Sequence, residues 1–288
     1  MTEPGDPAPE AAPGRRRTWS DLGPRLLSAM VLIALTVGAL YLGGYAFAVV
    51  VGVVFALAYR EWETMVSRAP ITPLGMVLAG LVAVSGVMYL MFGALGALAV
   101  IALACLVAVG MGRERLLWRV IGLAIYGGII VAALAMRGDT IAGFWAGIYL
   151  GTVVWMTDSA AFFTGRQIGG EKLAPDISPS KTWSGALGGL ALGIVTGMVV
   201  WILVTESPLW IGLVLSASIS VLGQLGDLSE SAIKRHFRIK DSGDLIPGHG
   251  GLMDRLDSLT FGLLLVLVVG ALHKGYGFVA EGLLYWGY

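Results

Sequence analysis

The residues best suited to chemistry lie in one stretch, Ser229–Asp257, which reads SESAIKRHFRIKDSGDLIPGHGGLMDRLD. It holds ten of the 38 charged residues: Lys234, Arg235, Arg238, Lys240 and Arg255 against Glu230, Asp241, Asp244, Asp254 and Asp257, with His236 and His249 among them. An ordinary charge run is a solvated loop, and three features set this one apart. Upstream, Ser216, Ser220, Gln224, Asp227 and Ser231 recur at helical spacing and form a polar stripe leading into the stretch. An ionisable group in the membrane part of a helix costs about 2.5–3.5 kcal/mol, so Asp227 needs a partner. Pairing with Lys234 or Arg235 is the purely structural answer. Downstream, a helix starting near Gly251 puts Asp254 and Asp257 one turn apart on one face, with Ser258 beside them. One acid in a first turn is explained by the helix dipole. Two that face Asp227 across a loop suit a hard cation. Mg²⁺, which takes few carboxylates, retained waters and substrate phosphates, fits them better than zinc, whose His or Cys ligands are not assembled here. Third, Gly248, Gly250 and Gly251 flank His249 after Pro247, a density of glycine that lets backbone N–H groups approach a phosphate at a helix start.

A second polar patch points the same way. Asp158, between Thr157 and Ser159, falls toward the end of an apolar run. The loop after it closes with Ser178-Pro179-Ser180-Lys181-Thr182-Trp183. This is not a phosphate-binding P-loop, because Pro175 stands where the first glycine belongs. Ser180 and Lys181 just before a helix are nonetheless candidate phosphate contacts.

These groups must be positioned by membrane helices. Of 288 residues, 57% are apolar and 13% charged, against about 25% charged in soluble domains. Zero net charge gives no sign of nucleic acid as a partner. Cys105, the one cysteine, sits in an apolar run and reads as a packing residue. A span needs about twenty apolar residues, which predicts helices at 25–42, 44–59, 73–91, 93–110, 118–136, 142–164, 183–204, 209–228 and 258–273. The fold expected is an all-α integral membrane protein, a polytopic bundle of about nine transmembrane helices with its active site on the cytoplasmic face. With the N-terminus inside, only Arg137 and Lys274 of the 19 Lys and Arg residues face outward, a strong positive-inside asymmetry. Residues 1–22, rich in proline and carrying Arg15, Arg16 and Arg17, read as a disordered cytoplasmic tail. Residues 23–140 form N-terminal helices, and 141–288 a catalytic membrane region. Gly185, Gly189, Gly193 and Gly197, spaced by four, make a groove for close helix packing. No internal repeat stands out.

At these residues the chain resembles the bacterial phosphatidate cytidylyltransferases. The resemblance rests on Ser231, Lys234-Arg235, Lys240-Asp241, His249-Gly250-Gly251 and Asp254-Arg255-x-Asp257, supported by Gly223–Ser231, Asp158-Ser159 and Ser178–Trp183. It is clear over residues 145–275, while the first 140 residues match only in hydrophobic layout. It implies transfer of the cytidylyl group of CTP to phosphatidic acid, giving CDP-diacylglycerol and pyrophosphate, dependent on Mg²⁺. On this reading Asp227 and Asp254 hold metal, with Asp257 and Asp158 as further partners. Lys234, Arg235, Lys240 and Arg255 hold phosphates, and Ser180, Lys181, Gly248, Gly250 and Gly251 seat the nucleotide. His249 contacts a phosphate or shapes the turn, and His236 and His273 are incidental. Membrane lipids surround the protein. A second metal ion, a monovalent cation beside it and a homodimer are open alternatives. Two other readings are a CTP-dependent lipid-alcohol kinase and a transporter, though a transporter predicts polar groups near the bilayer midplane rather than at one face.

Overall fold

The structure is a computed structural model describing residues 22–111, 114–243 and 251–287, with side chains from residue 30. Among the described residues there are nine α-helices: α1 (Leu22–Leu42), α2 (Gly44–Ser67), α3 (Pro73–Met111), α4 (Leu116–Arg137), α5 (Ile141–Gln167), α6 (Trp183–Val204), α7 (Leu209–His236), α8 (Met253–Lys274) and the short α9 (Val279–Leu284). Six of them, α2, α3, α4, α6, α7 and α8, are long and apolar enough to cross a membrane. In lipid every backbone group must be satisfied within the chain, which helices do and open strands do not. Every span predicted from the sequence falls on helix. The proposed tail, together with His249, Gly248 and Gly250, lies outside the described residues.

Two predicted spans, 73–91 and 93–110, are joined in α3. It is broken at Gly93, whose φ of 65° and ψ of −160° are not helical. The chain doubles back there. Residues eight apart on a straight helix are about 12 Å apart, yet a Cβ added to Gly96 would lie 2.5 Å from the Met88 carbonyl oxygen. Gly43 and Gly138 adopt nearly the same conformation, φ 60° and ψ −157°, and φ 43° and ψ −158°. Only a residue without a Cβ enters that region freely. One end of the bundle is tied at Gly138 by the buried Arg137. Its Nε donates to the Leu40 carbonyl at 2.6 Å and its Nη1 to the Gly138 and Thr140 carbonyls.

The glycine groove does what its spacing predicts. Gly185, Gly189, Gly193 and Gly197 are buried in α6, and α5 lies along them. A Cβ at Gly189 would stand 2.8 Å from the Thr157 carbonyl oxygen. The upper part of the predicted polar stripe is spent on this packing. Ser216 bonds Tyr149 Oη at 2.8 Å, Ser220 accepts from Thr157 Oγ1 at 2.9 Å, and Gln224 Nε2 donates to the Ala186 carbonyl at 3.3 Å. The two hydroxyls tie α7 to α5, and Gln224 ties α7 to α6 at the edge of the cavity that it also lines. Below them the site begins.

The fold is all-helical in its apolar part, as expected, and the loop after α5 adds an antiparallel hairpin of β1 (Lys172–Ala174) and β2 (Ser178–Thr182), pairing Lys172 with Thr182 and Ala174 with Ser178. Gly169 and Gly170, both at positive φ, turn the chain into it. A loop outside the apolar core is free to satisfy its backbone groups this way.

Candidate active site

Five elements converge at one end of the bundle: the last turns of α5, the hairpin, the first turn of α6, α7 and the first turns of α8. They enclose a cavity of about 760 Å³ lined by Asp158, Arg166, Ser180, Lys181, Gln224, Asp227, Asp254, Arg255, Asp257 and Ser258, together with the apolar Phe162, Phe163 and Leu173. Each position has a local cause. Thr182 caps α6, its hydroxyl accepting from the Gly185 N–H at 3.1 Å, as a helix N-terminus requires. This cap fixes β2 against the helix and brings the preceding Lys181 over the cavity. The Lys181 Nζ lies 2.6 Å from Asp227 Oδ2. Asp227 therefore does have a basic partner, but from the hairpin rather than from Lys234 or Arg235.

On the α8 side, Asp254 and Asp257 both reach the cavity, as one-turn spacing predicts, although α8 starts at Met253 rather than near Gly251. Lys234 is paired with Asp254 Oδ1 and lies 3.3 Å from Glu230. The second oxygen of Asp254 accepts from the N–H groups of Gly251 at 3.3 Å and Ser242 at 3.4 Å. Gly251 thus turns its N–H to a carboxylate. The Ser258 hydroxyl donates to Asp158 Oδ1 at 3.3 Å, and its N–H donates to Asp257 Oδ1 at 2.7 Å.

The remaining predicted residues divide. Arg255 lines the cavity. Arg235 is exposed and holds backbone, donating to the Ile177 carbonyl of the hairpin at 3.2 Å and to the Ile239 carbonyl at 3.1 Å. Lys240 is exposed and is not among the residues lining the cavity. His236 packs on Trp118 and Phe237, while His273 stacks on Trp286 with 3.8 Å between centroids.

Sequence reasoning passed over three residues here. Arg166 lies with its guanidinium 4.5 Å above the Phe162 ring at the cavity edge. Glu230 is buried beside Asp254 and Asp257. Glu61, from the distant α2, accepts from the N–H groups of Leu252 and Met253 and from the Ser242 hydroxyl. An acid in a helix as apolar as α2 was the available signal, and its partners lie too far along the chain to be read.

Among the described residues no three carboxylate, histidine or thiol groups lie close enough to close around one ion. The donors nonetheless fit a hard cation that keeps waters and substrate phosphates as ligands. All are oxygens, Asp158 stands within electrostatic reach of Asp257 and Asp227, and all three open onto one polar cavity.

The sequence profile of the cytidylyltransferase family matches residues 23–273, far more of the chain than the 145–275 over which the signature is plain. A Brucella suis protein named phosphatidate cytidylyltransferase is 37% identical over 255 residues, covering 88% of this chain and 94% of that protein. A Bacillus subtilis protein of the same name is 49% identical over 115 residues, 39% of this chain and 42% of its own. With the cavity residues and the motif residues inside the matched segment, the chain belongs to the cytidylyltransferase family.

Proposed function

We propose that this protein transfers the cytidylyl group of CTP to phosphatidic acid, releasing pyrophosphate and leaving CDP-diacylglycerol in the membrane. The observation that carries the reading is a single cavity lined by four aspartates, by Arg166, Lys181 and Arg255, and by the exposed apolar side chains of Phe162 and Phe163. Phe162 is 51% and Phe163 60% exposed there, where the acyl chains of a lipid can rest while its headgroup meets Arg166.

The acceptor is a phosphate that is already anionic, so no strong base is needed. One of its oxygens forms a bond to the α-phosphorus of CTP. The bond from that phosphorus to the bridging oxygen breaks, and its electron pair leaves with pyrophosphate. A Mg²⁺ held by Asp227 and Asp254, with Asp257 and Asp158 as further partners, would neutralise phosphate charge. Lys181 and Arg255 stand where they can follow charge onto the leaving pyrophosphate. Lys234 holds Asp254 in place and Arg235 holds the hairpin, so both support the site through other residues. The nine predicted spans map onto α1, α2, the two halves of α3, and α4 to α8. That count puts the N-terminus and the cavity on the same side, which the basic residues assign to the cytoplasm.

CTP labelled at its α-phosphate, incubated with phosphatidic acid and purified protein, should label the lipid in the presence of Mg²⁺. Lipid labelled only from the γ-phosphate would replace the transferase reading with a lipid kinase. Uptake by proteoliposomes with no nucleotide turnover would replace it with a transporter.

A further inference from the structure

Glu61 is a buried acid, 4% exposed, on a helix that contributes nothing to the cavity lining. Its carboxylate is nevertheless the meeting point of two stretches of the signature region. Oε1 accepts from the Leu252 N–H at 3.0 Å, and Oε2 accepts from the Met253 N–H at 2.8 Å and from the Ser242 Oγ at 3.2 Å. Leu252 and Met253 are the cap and first residue of α8, and Leu252 provides no side-chain cap of its own. Two of the four N–H groups that a helix start leaves unsatisfied are thus taken by a side chain from elsewhere in the chain. Glycines make room for it. A Cβ at Gly243 would lie 2.9 Å from Oε1, and one at Gly251 would lie 2.7 Å from Oε2.

The same two stretches serve Asp254. Of the Ser242 and Gly251 N–H groups that donate to Asp254 Oδ2, the first belongs to a residue that Glu61 holds and the second to the residue just before Leu252, which Glu61 also holds. Ser242 turns its hydroxyl to Glu61 and its N–H to Asp254. Resting on the proposed function, we infer that Glu61 is a positioning residue for the reaction. By fixing Ser242 and the first turn of α8, it sets the orientation of the Asp254 carboxylate within the cavity. Its role is distinct from that of a generic buried acid, because among the described residues each side-chain bond it makes goes to a backbone or hydroxyl group within two residues of a donor to Asp254.

The test uses the full chain in lipid nanodiscs, with Glu61→Ala and Glu61→Gln compared with the parent in CTP turnover, thermal unfolding and hydrogen exchange over residues 251–256. Misplacement of a reacting group by about 1 Å costs on the order of 100-fold in rate. Glu61→Ala should therefore lower kcat per folded protein by up to about 100-fold with little change in KM for phosphatidic acid, and should speed exchange at Leu252 and Met253. Glu61→Gln, the same size but with one acceptor oxygen replaced by a donor, should lose less. If Glu61→Ala does not fold, Glu61→Gln decides. A lowered kcat at a parental unfolding temperature supports positioning. A parental kcat in the folded protein overturns it, as does a loss of activity that only tracks the loss of folded protein. A parent that labels no lipid would refute the proposed function instead, and exchange at Leu252 and Met253 would still report whether Glu61 holds the turn.

Discussion

The Lys181–Asp227 pair separates a structural ion pair from a substrate contact by size of effect. Lys181 Nζ lies 2.6 Å from Asp227 Oδ2, with the two side chains 23% and 36% exposed. A partly exposed pair of this kind contributes no more than about 1 kcal/mol to folding. Lys181→Met should accordingly leave thermal unfolding near that of the parent. A cation that follows charge onto the leaving pyrophosphate is worth far more, since losing one preorganised donor of that sort costs about 10²–10³-fold in kcat. The methionine keeps most of the aliphatic stem and so most of the packing. Lys181→Arg keeps the charge but changes its geometry and should recover part of the activity. The assay is transfer of α-labelled CTP to phosphatidic acid in mixed micelles, with kcat and KM taken separately and unfolding followed on the same preparation. A fall in kcat of less than about threefold, with unfolding unchanged, would show that Lys181 serves only to hold Asp227, and the estimate drawn from preorganised donors would not apply to it.

Asp227→Asn and Asp254→Asn should each abolish turnover while the protein inserts and purifies normally, and EDTA should do the same to the parent in a way that added Mg²⁺ reverses. Near-parental activity in either variant removes that residue from the metal assignment. Arg119 pairs with the fully buried Glu63 at 2.9 Å. Arg119→Met should cost about 3–5 kcal/mol of stability by stranding that acid, and changing Glu63 to Met as well should restore most of it. A single variant as stable as the parent would contradict this. Gly189→Ala should cost about 1–3 kcal/mol because its methyl meets the Thr157 carbonyl oxygen at 2.8 Å. Gly151→Ala, whose methyl meets only Trp155 at 3.9 Å, should be tolerated, and equal unfolding temperatures for the two would show that α5 and α6 separate freely.

The helices were legible in the sequence because lipid leaves the chain few alternatives. Runs of about twenty apolar residues had to become helix, and even the reversal within α3 is marked by Gly93. The convergence of Asp158, Lys181, Asp227 and Asp254 was legible from counting passes, because alternate spans must end on the same face. The pairings inside the cavity were not. Asp227 meets Lys181 rather than the nearer Lys234, and Lys234 meets Asp254, because partners here are chosen by which helix ends lie side by side. The stripe of Ser216 and Ser220 has the period of a substrate-lining face but is consumed by Tyr149 and Thr157 on α5. A hydroxyl looks the same in sequence whether it faces a lipid or a neighbouring helix. The hairpin was hidden for a related reason, since Ser178–Thr182 carries none of the branched apolar residues that mark strands.

Glu61 has a consequence for how the protein is made. Its partners Leu252 and Met253 stand 191 and 192 positions further along the chain. At translation rates of about 5–20 residues per second, α2 is in place some 10–40 s before the first turn of α8 exists. Through that interval the N-terminal helices hold an acid in an apolar helix with nothing yet to accept from, and the last long helix to be synthesised closes the gap. Docking of α8 on α2 therefore shapes this end of the bundle late, so a chain cut short before Met253 lacks both the aspartates of α8 and the partners that Glu61 takes at its first turn.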